Sequence, residues 1–266
     1  MDQEAAVEEI TRWALADNNI RAVVLTGSVA RGDQDNLSDV DVEVYLRDPS
    51  DLLNRRDWYN RFGDLLAVEE LPNPGWVPTR LLYFVDGKID FAIGDLGSFG
   101  AATYSRPFRV LVDKDRRADA LAEAQENREY HSPSAEEFAE CLNWFAAAAV
   151  MQAKLIVRGE PWLAKYRDWD LKGQLLRMMI WDHRCRYGWH YDTWYSGKHV
   201  NEWADADVRA ALNSCWSGFH EDEMVPALHA SMVLFQQLAQ RTGVALGYPA
   251  FHHDRVRKEA DRILSA

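Results

Sequence analysis

The chain has 266 residues, 47% of them hydrophobic and 27% charged, which is enough material for two domains of an ordinary globular protein. Its 42 acidic residues against 30 Lys plus Arg give a formal charge of −12, the opposite of the basic surface with which proteins grip nucleic-acid phosphates. Such an acidic surface steers cationic small molecules instead. The start, Met1-Asp2-Gln3-Glu4, lacks the basic head and apolar core of a signal peptide, and no apolar run approaches the roughly 18 residues of a membrane span. The protein is therefore expected in the cytoplasm, away from membranes. Cys141, Cys185 and Cys215 are odd in number and lack a C-x-x-C pair, so they read as reduced thiols, with neither disulfides nor zinc.

In chain order, an amphipathic helix is expected over about 3–18 and an apolar strand over 21–26. The strand runs into Gly27-Ser28-Val29-Ala30-Arg31-Gly32, where glycine permits close backbone approach and main-chain N–H groups can face a phosphate. Arg31 is as well placed to pair with Asp33 or Asp35 as to touch phosphate. The run Leu37-Ser38-Asp39-Val40-Asp41-Val42-Glu43-Val44 then alternates polar and apolar residues strictly. As a strand it buries the valines on one face and sets Asp39, Asp41 and Glu43 on the other. Adjacent carboxylates repel, and a divalent cation, Mg²⁺ first of all, relieves that repulsion. Glu43, one step further from the phosphate turn, reads as a hydrogen-bond or ion-pair partner rather than a ligand.

Residues 50–66 carry an N-cap candidate and helical apolar spacing, and 71–78 form a loop by their three prolines. Residues 80–85 and 88–93 are read as a hairpin closed by a type I′ turn at Asp86-Gly87. In its second strand Asp90 projects to the same side as Lys88, opposite Ile89, Phe91 and Ile93, which makes Asp90 the preferred third carboxylate over Asp95 beyond Gly94. Its role would be metal ligand, general base, or both. A last strand is expected over 108–113, and the first domain ends between about 115 and 133.

From Ser134 the pattern changes to helices, expected over 136–157, 170–186, 205–218, 224–242 and 248–264. The fold class is thus α/β (α+β), a mixed-sheet domain over 1–130 followed by a helical bundle over 131–266. Eight of the 11 tryptophans lie after residue 140. Most belong in a core, but the pairs Trp169-Asp170 and Trp181-Asp182 combine an aromatic face with a carboxylate, both attractive to a guanidinium or ammonium group. His183, His190 and His199 lack metal-ligand spacing, and no Ser-His-Asp arrangement can be built.

Gly27-Ser28 followed by Asp39-x-Asp41 and a later strand acid resembles the signature of the nucleotidyltransferase superfamily typified by polymerase beta. Leu175-Leu-Arg-Met-Met-Ile-Trp181, His190-Tyr191, Gly197-Lys198 and Leu246-Gly-Tyr-Pro, together with Ser38-Asp39-Val40-Asp41, narrow the resemblance to the aminoglycoside 6-adenylyltransferases, which adenylylate streptomycin. The resemblance implies ATP as co-substrate, held by Gly27, Ser28 and Ser38, and Mg²⁺ on Asp39, Asp41 and Asp90. It implies Lys198 as a triphosphate ligand from the helical domain, and Glu140 and Asn143 as polar residues near the substrate. Asp90 would accept the proton of an aminoglycoside hydroxyl, whose oxygen attacks the α-phosphorus in line as pyrophosphate leaves. The partners implied are ATP and a cationic aminoglycoside, with the protein acting as a monomer. The family often has Phe or Ile where this chain has Val40, so the chemistry is better marked than the antibiotic. Alternative readings are a nucleotidyltransferase of another small molecule, such as a lincosamide, and a non-catalytic antitoxin-like module, against which the helical half counts.

Overall fold

The computed structural model describes residues 1–72, 77–121 and 130–266. Residues 73–76 of the proline loop, and 122–129 within the segment expected to end the first domain, lie outside that description. Two compact units form, Met1–Arg128 and Glu129–Ala266.

The first unit is a six-stranded sheet. Helix α1 (Gln3–Ala16) starts where the Asp2 carboxylate accepts from the Ala5 N–H, and it buries Ala6, Val7, Ile10, Trp13 and Ala14 at helical spacing. Strand β1 (Ile20–Thr26) leads into the short helix α2 (Gly27–Arg31) and then β2 (Val40–Leu46). Helix α3 (Pro49–Asn54) is followed by β3 (Leu65–Leu71), β4 (Thr79–Phe84), β5 (Gly87–Asp95), the one-turn α4 (Leu96–Phe99) and β6 (Arg109–Asp113). The sheet order is β3-β4-β5-β2-β1-β6, with β2 and β5 parallel and the other pairs antiparallel.

Val40, Val42 and Val44 of β2 and Ile89, Phe91 and Ile93 of β5 share one buried cluster with α1. Burying each such side chain stabilises the unit by roughly 1.5–3 kcal/mol. A one-residue slip would put aspartates into this cluster, so the apolar face fixes the register of the polar one. On the other face a smaller core of Ala22, Val24, Tyr45 and Phe99 gathers.

The expected helix over 50–66 is a correction. Only α3 is helical at its start, a 3₁₀ turn covers Tyr59–Arg61, and residues 65–66 begin an edge strand paired with β4. Tertiary packing overrides the helical spacing. Trp58 stacks on Trp13 at 5.6 Å, meets Phe91 edge-on at 5.1 Å, and donates its indole N–H to the Leu52 carbonyl at 3.1 Å, which folds the chain back on α3. The hairpin is also displaced by one residue. Phe84 pairs with Gly87, so Val85-Asp86 make the turn, and neither Asp86 nor Gly87 has the positive φ of a type I′ turn. The Met1 ammonium donates to the Asp86 carbonyl. A Cβ on Gly87 would lie 2.6 Å from that of Met1, so glycine answers to the N-terminus packed on the turn.

The second unit is helical: α5 (Ala135–Val157), α6 (Pro161–Tyr187), α7 (Val200–Trp203), α8 (Ala206–Ser214), α9 (Glu221–Leu246) and α10 (His253–Leu264). Ser134 and Glu137 form a reciprocal capping box at the start of α5. Phe145 of α5 and Phe235 of α9 stack at 3.6 Å inside the bundle. Helix α6 begins nine residues earlier than the expected 170. Pro161 sets its first turn, and its early aromatics Trp162, Tyr166 and Trp169 face outward, so over these about two and a half turns Ala164 is the one buried apolar residue and no hydrophobic stripe marks the helix. Among the described residues no helix is long and apolar enough to cross a membrane.

Candidate active site

The centre of the first unit's polar face is a block of four charged side chains on neighbouring strands. Asp41 of β2 pairs across to Thr26 of β1 on one side and to Asp90 of β5 on the other. Paired residues share a face of the sheet, so Thr26, Asp41 and Asp90 stand in a row. One alternation step back, Asp39 precedes β2 while Lys88 stands two residues before Asp90. The Lys88 ammonium donates to Asp39 Oδ2 and to Asp90 Oδ2, each at 2.9 Å. Lys88 was visible in the sequence as a neighbour of Asp90 but carried no motif, so it received no role.

Asp90 is mostly buried. Burial pushes its carboxyl above the usual Asp range and the negative Asp39 adds to this, while the bond and charge of Lys88 pull it back without cancelling the rise. For Lys88, burial works against the charge, but the bonds to Asp90 and Asp39 outweigh it and hold the ammonium above its ordinary value. The second oxygen of Asp90, Oδ1, is buried and accepts no hydrogen bond. An unsatisfied carboxylate oxygen beside another aspartate is the chemistry of a hard-cation ligand, and in that respect the residues fit a divalent metal. With Lys88 on Asp39 and Asp90, no three acidic, His or Cys side chains among the described residues are gathered as a finished ligand set.

The phosphate-turn candidate adjoins this block. Gly27 follows β1 with φ +69°, and a Cβ there would lie 1.9 Å from Asp41 Oδ2. Only glycine brings the turn this close to the carboxylate. Helix α2 ends at Gly32, also left-handed, and the Ser28 carbonyl accepts from the Gly32 and Asp33 N–H groups at 2.9 and 3.2 Å. Arg31 pairs with Asp33 at 3.0 Å. The Ser38 hydroxyl donates to Asp35 Oδ1 at 3.0 Å and accepts from the Asp35 N–H at 2.9 Å, so it shapes the turn ahead of Asp39. Glu43 accepts from the hydroxyls of Tyr45 and Tyr104 at 2.7 and 2.8 Å, the partner role read from its position. Asp95 caps α4 by accepting from the Gly97 N–H at 2.6 Å.

Residues 1–260 match the profile of the streptomycin adenylyltransferase family. The chain belongs to that family. Among solved structures, an aminoglycoside 6-adenyltransferase from Bacillus subtilis matches over 100% of both chains with 21% identity and a TM-score of 0.50, which shows a shared fold. A nucleotidyltransferase-like protein from Exiguobacterium sibiricum matches 99% of this chain and 87% of its own with 12% identity, and its TM-score of 0.33 supports no inference. No curated protein matches the chain.

For this family member the second unit supplies the remaining candidates, and they divide. Lys198 lies in a tight turn where Ser196 and Gly197 have φ +51° and +77°, with its ammonium 5.0 Å from the Trp194 ring centroid. Trp169 is 71% exposed, and Asp170 pairs with Arg167 at 2.6 Å. Glu140 meets Arg177 at 3.4 Å, and the Asn143 amide folds back onto the Ala139 carbonyl at 2.8 Å. Trp181 packs in the bundle core against Phe138, with the Arg177 guanidinium 4.6 Å over its ring. Asp182 is 1% exposed, and Oδ2 accepts from Arg186 at 2.7 Å and from Arg241 at 2.9 Å, while Oδ1 accepts from Arg241 at 3.0 Å. With both oxygens engaged, Asp182 cross-links α6 to α9.

Proposed function

We propose that the chain transfers AMP from ATP to a hydroxyl of an aminoglycoside, streptomycin at its 6-hydroxyl first, releasing pyrophosphate and thereby conferring resistance. The observation that carries this reading is the register of β1, β2 and β5, which lines up Gly27, Asp41 and Asp90 with Asp39 alongside. Membership of the streptomycin adenylyltransferase family supports the substrate class.

Asp39, Asp41 and Asp90 would hold Mg²⁺, which when bound supplies charge neutralisation for the attacking and leaving oxygens of an in-line displacement. Gly27 lets the turn approach the Asp41 carboxylate closely, and main-chain N–H groups around Ser28 are proposed to orient the nucleotide's phosphates. Asp90 serves as general base. A carboxyl raised above its usual range is the better proton acceptor. The proton moves from the antibiotic hydroxyl to Asp90, the oxygen forms its bond to the α-phosphorus, and the bond to the pyrophosphate oxygen breaks. Lys198 is proposed as a phosphate ligand, and Glu140, Trp169 and Asp170 as contacts to the cationic antibiotic. An adenylyl group adds bulk and negative charge to a ligand whose cationic groups make it fit ribosomal RNA.

The test is incubation of the purified protein with Mg²⁺ and ATP against a panel of aminoglycosides, with lincomycin in parallel, read by mass. A gain of one adenylyl group on streptomycin is expected. Modification of lincomycin alone would replace the substrate and keep the chemistry, and no product with any compound would overturn the reading.

A further inference from the structure

Lys88 is the one charged member of the block that the transfer chemistry does not use. It occupies the fourth corner of a two-by-two arrangement, beside Asp90 along β5 and bonded to Asp39, with the ring of Tyr83 5.4 Å from its ammonium. The Tyr83 hydroxyl in turn donates to Glu69 at 3.2 Å. Three carboxylates and one ammonium leave the block with two surplus negative charges, the charge of one divalent cation. The same two bonds engage one oxygen each of Asp39 and Asp90, and in that arrangement the acids are not gathered as metal ligands.

We propose that Lys88 is an internal counter-ion of the catalytic carboxylates, which a divalent cation must displace and which makes tight metal binding depend on nucleotide. This rests on the carboxylates being the metal site of the proposed reaction. Displacing Lys88 with a bare cation strands a mostly buried ammonium with no anion, an unfavourable state. When the cation arrives with a triphosphate, phosphate oxygens offer the freed ammonium new charge-assisted hydrogen bonds. Metal and nucleotide then favour each other's binding through one side chain, and the coupling is reciprocal. Lys88 is a positioning residue in this scheme. It sets where Asp39 and Asp90 rest and when they are released.

The experiment is Mn²⁺ binding followed by electron paramagnetic resonance, on wild type, Lys88→Met, Lys88→Gln and Lys88→Arg. Without nucleotide, Lys88→Met and Lys88→Gln are expected to bind Mn²⁺ at least about tenfold more tightly than wild type, while Lys88→Arg, which keeps a cation, stays weak. Gln retains most of the side-chain stem, so it carries the test if Met disturbs the strand, and circular dichroism checks both. Wild-type or weaker Mn²⁺ affinity in the neutral variants overturns the proposal. Failure of the underlying reading looks different: protein-bound Mn²⁺ would then be absent from every variant even with ATP, or would persist unchanged in Asp41→Asn.

Discussion

Replacing Gly27 with Ala places one methyl group where the structure has no room. The new Cβ would lie 1.9 Å from Asp41 Oδ2, against the 3.0 Å that such contacts essentially never undercut, so the carboxylate must move by about 1 Å. The backbone adds its own cost, because alanine at φ +69° is disfavoured by about 1–2 kcal/mol. Gly32 provides a matched control: its φ is +77° and nothing lies within 4 Å of a Cβ built there. Gly32→Ala should therefore lose about 1–2 kcal/mol in urea denaturation, and Gly27→Ala at least as much. Only Gly27→Ala should also lose activity, by about a hundredfold in kcat/KM, the scale on which a 1 Å misplacement of a reacting group acts. Pyrophosphate release with ATP and streptomycin measures the second quantity. If Gly27→Ala keeps activity within about threefold of wild type, or if Gly32→Ala loses as much, the close approach of the Gly27 turn to Asp41 does not matter for activity and the reasoning is wrong.

In the second unit, Asp182→Asn should lower stability by about 1–3 kcal/mol through weakened bonds to Arg186 and Arg241, with KM for the antibiotic unchanged. A raised KM at unchanged stability would return Asp182 to the substrate. The reverse pattern is expected for Trp169→Ala: the indole is largely exposed, so the melting temperature should hold while KM for the aminoglycoside rises several-fold, as steady-state kinetics would show. Burial holds His183 and His253 below the ordinary histidine range, and neither ring nitrogen of His183 has a hydrogen-bond partner. Above about pH 6.5 both are neutral whether the chain is folded or not; as pH falls below it the unfolded chain takes up protons that the folded one resists, so stability falls by at most about 1.4 kcal/mol per pH unit for each histidine. Urea midpoints at pH 7.5 and 5.5 should differ less for His183→Phe than for wild type, and equal differences would rule the histidine out.

The carboxylate face was legible because a strand has a period of two. Alternation in 38–44 and 88–93 placed Asp39, Asp41 and Asp90 opposite the residues that bury, and the structure pairs Asp41 with Asp90. Lys88 was not legible as a partner, since a lysine two residues from an aspartate is commonplace until the parallel register brings Asp39 beside it. The 50–66 segment misled because Leu52, Tyr59 and Phe62 match a helical stripe, and only the stack on Trp13 shows why the chain breaks after Asn54. Nothing in the local pattern around Asp182 marks Arg241, 59 residues away, as the partner that engages its carboxylate. Local pattern determines which face a residue takes; long-range partners determine whether its charge is available.

The three strand carboxylates are proposed to carry AMP transfer to an aminoglycoside. Transfer of label from α-phosphate-labelled ATP to streptomycin, compared between wild type and folded Asp41→Asn, tests it most directly. Labelled streptomycin is expected with wild type, with a loss of about a thousandfold in the variant, the scale of removing one preorganised electrostatic contact. Equal labelling by both proteins, or none by wild type with any aminoglycoside, would contradict the claim.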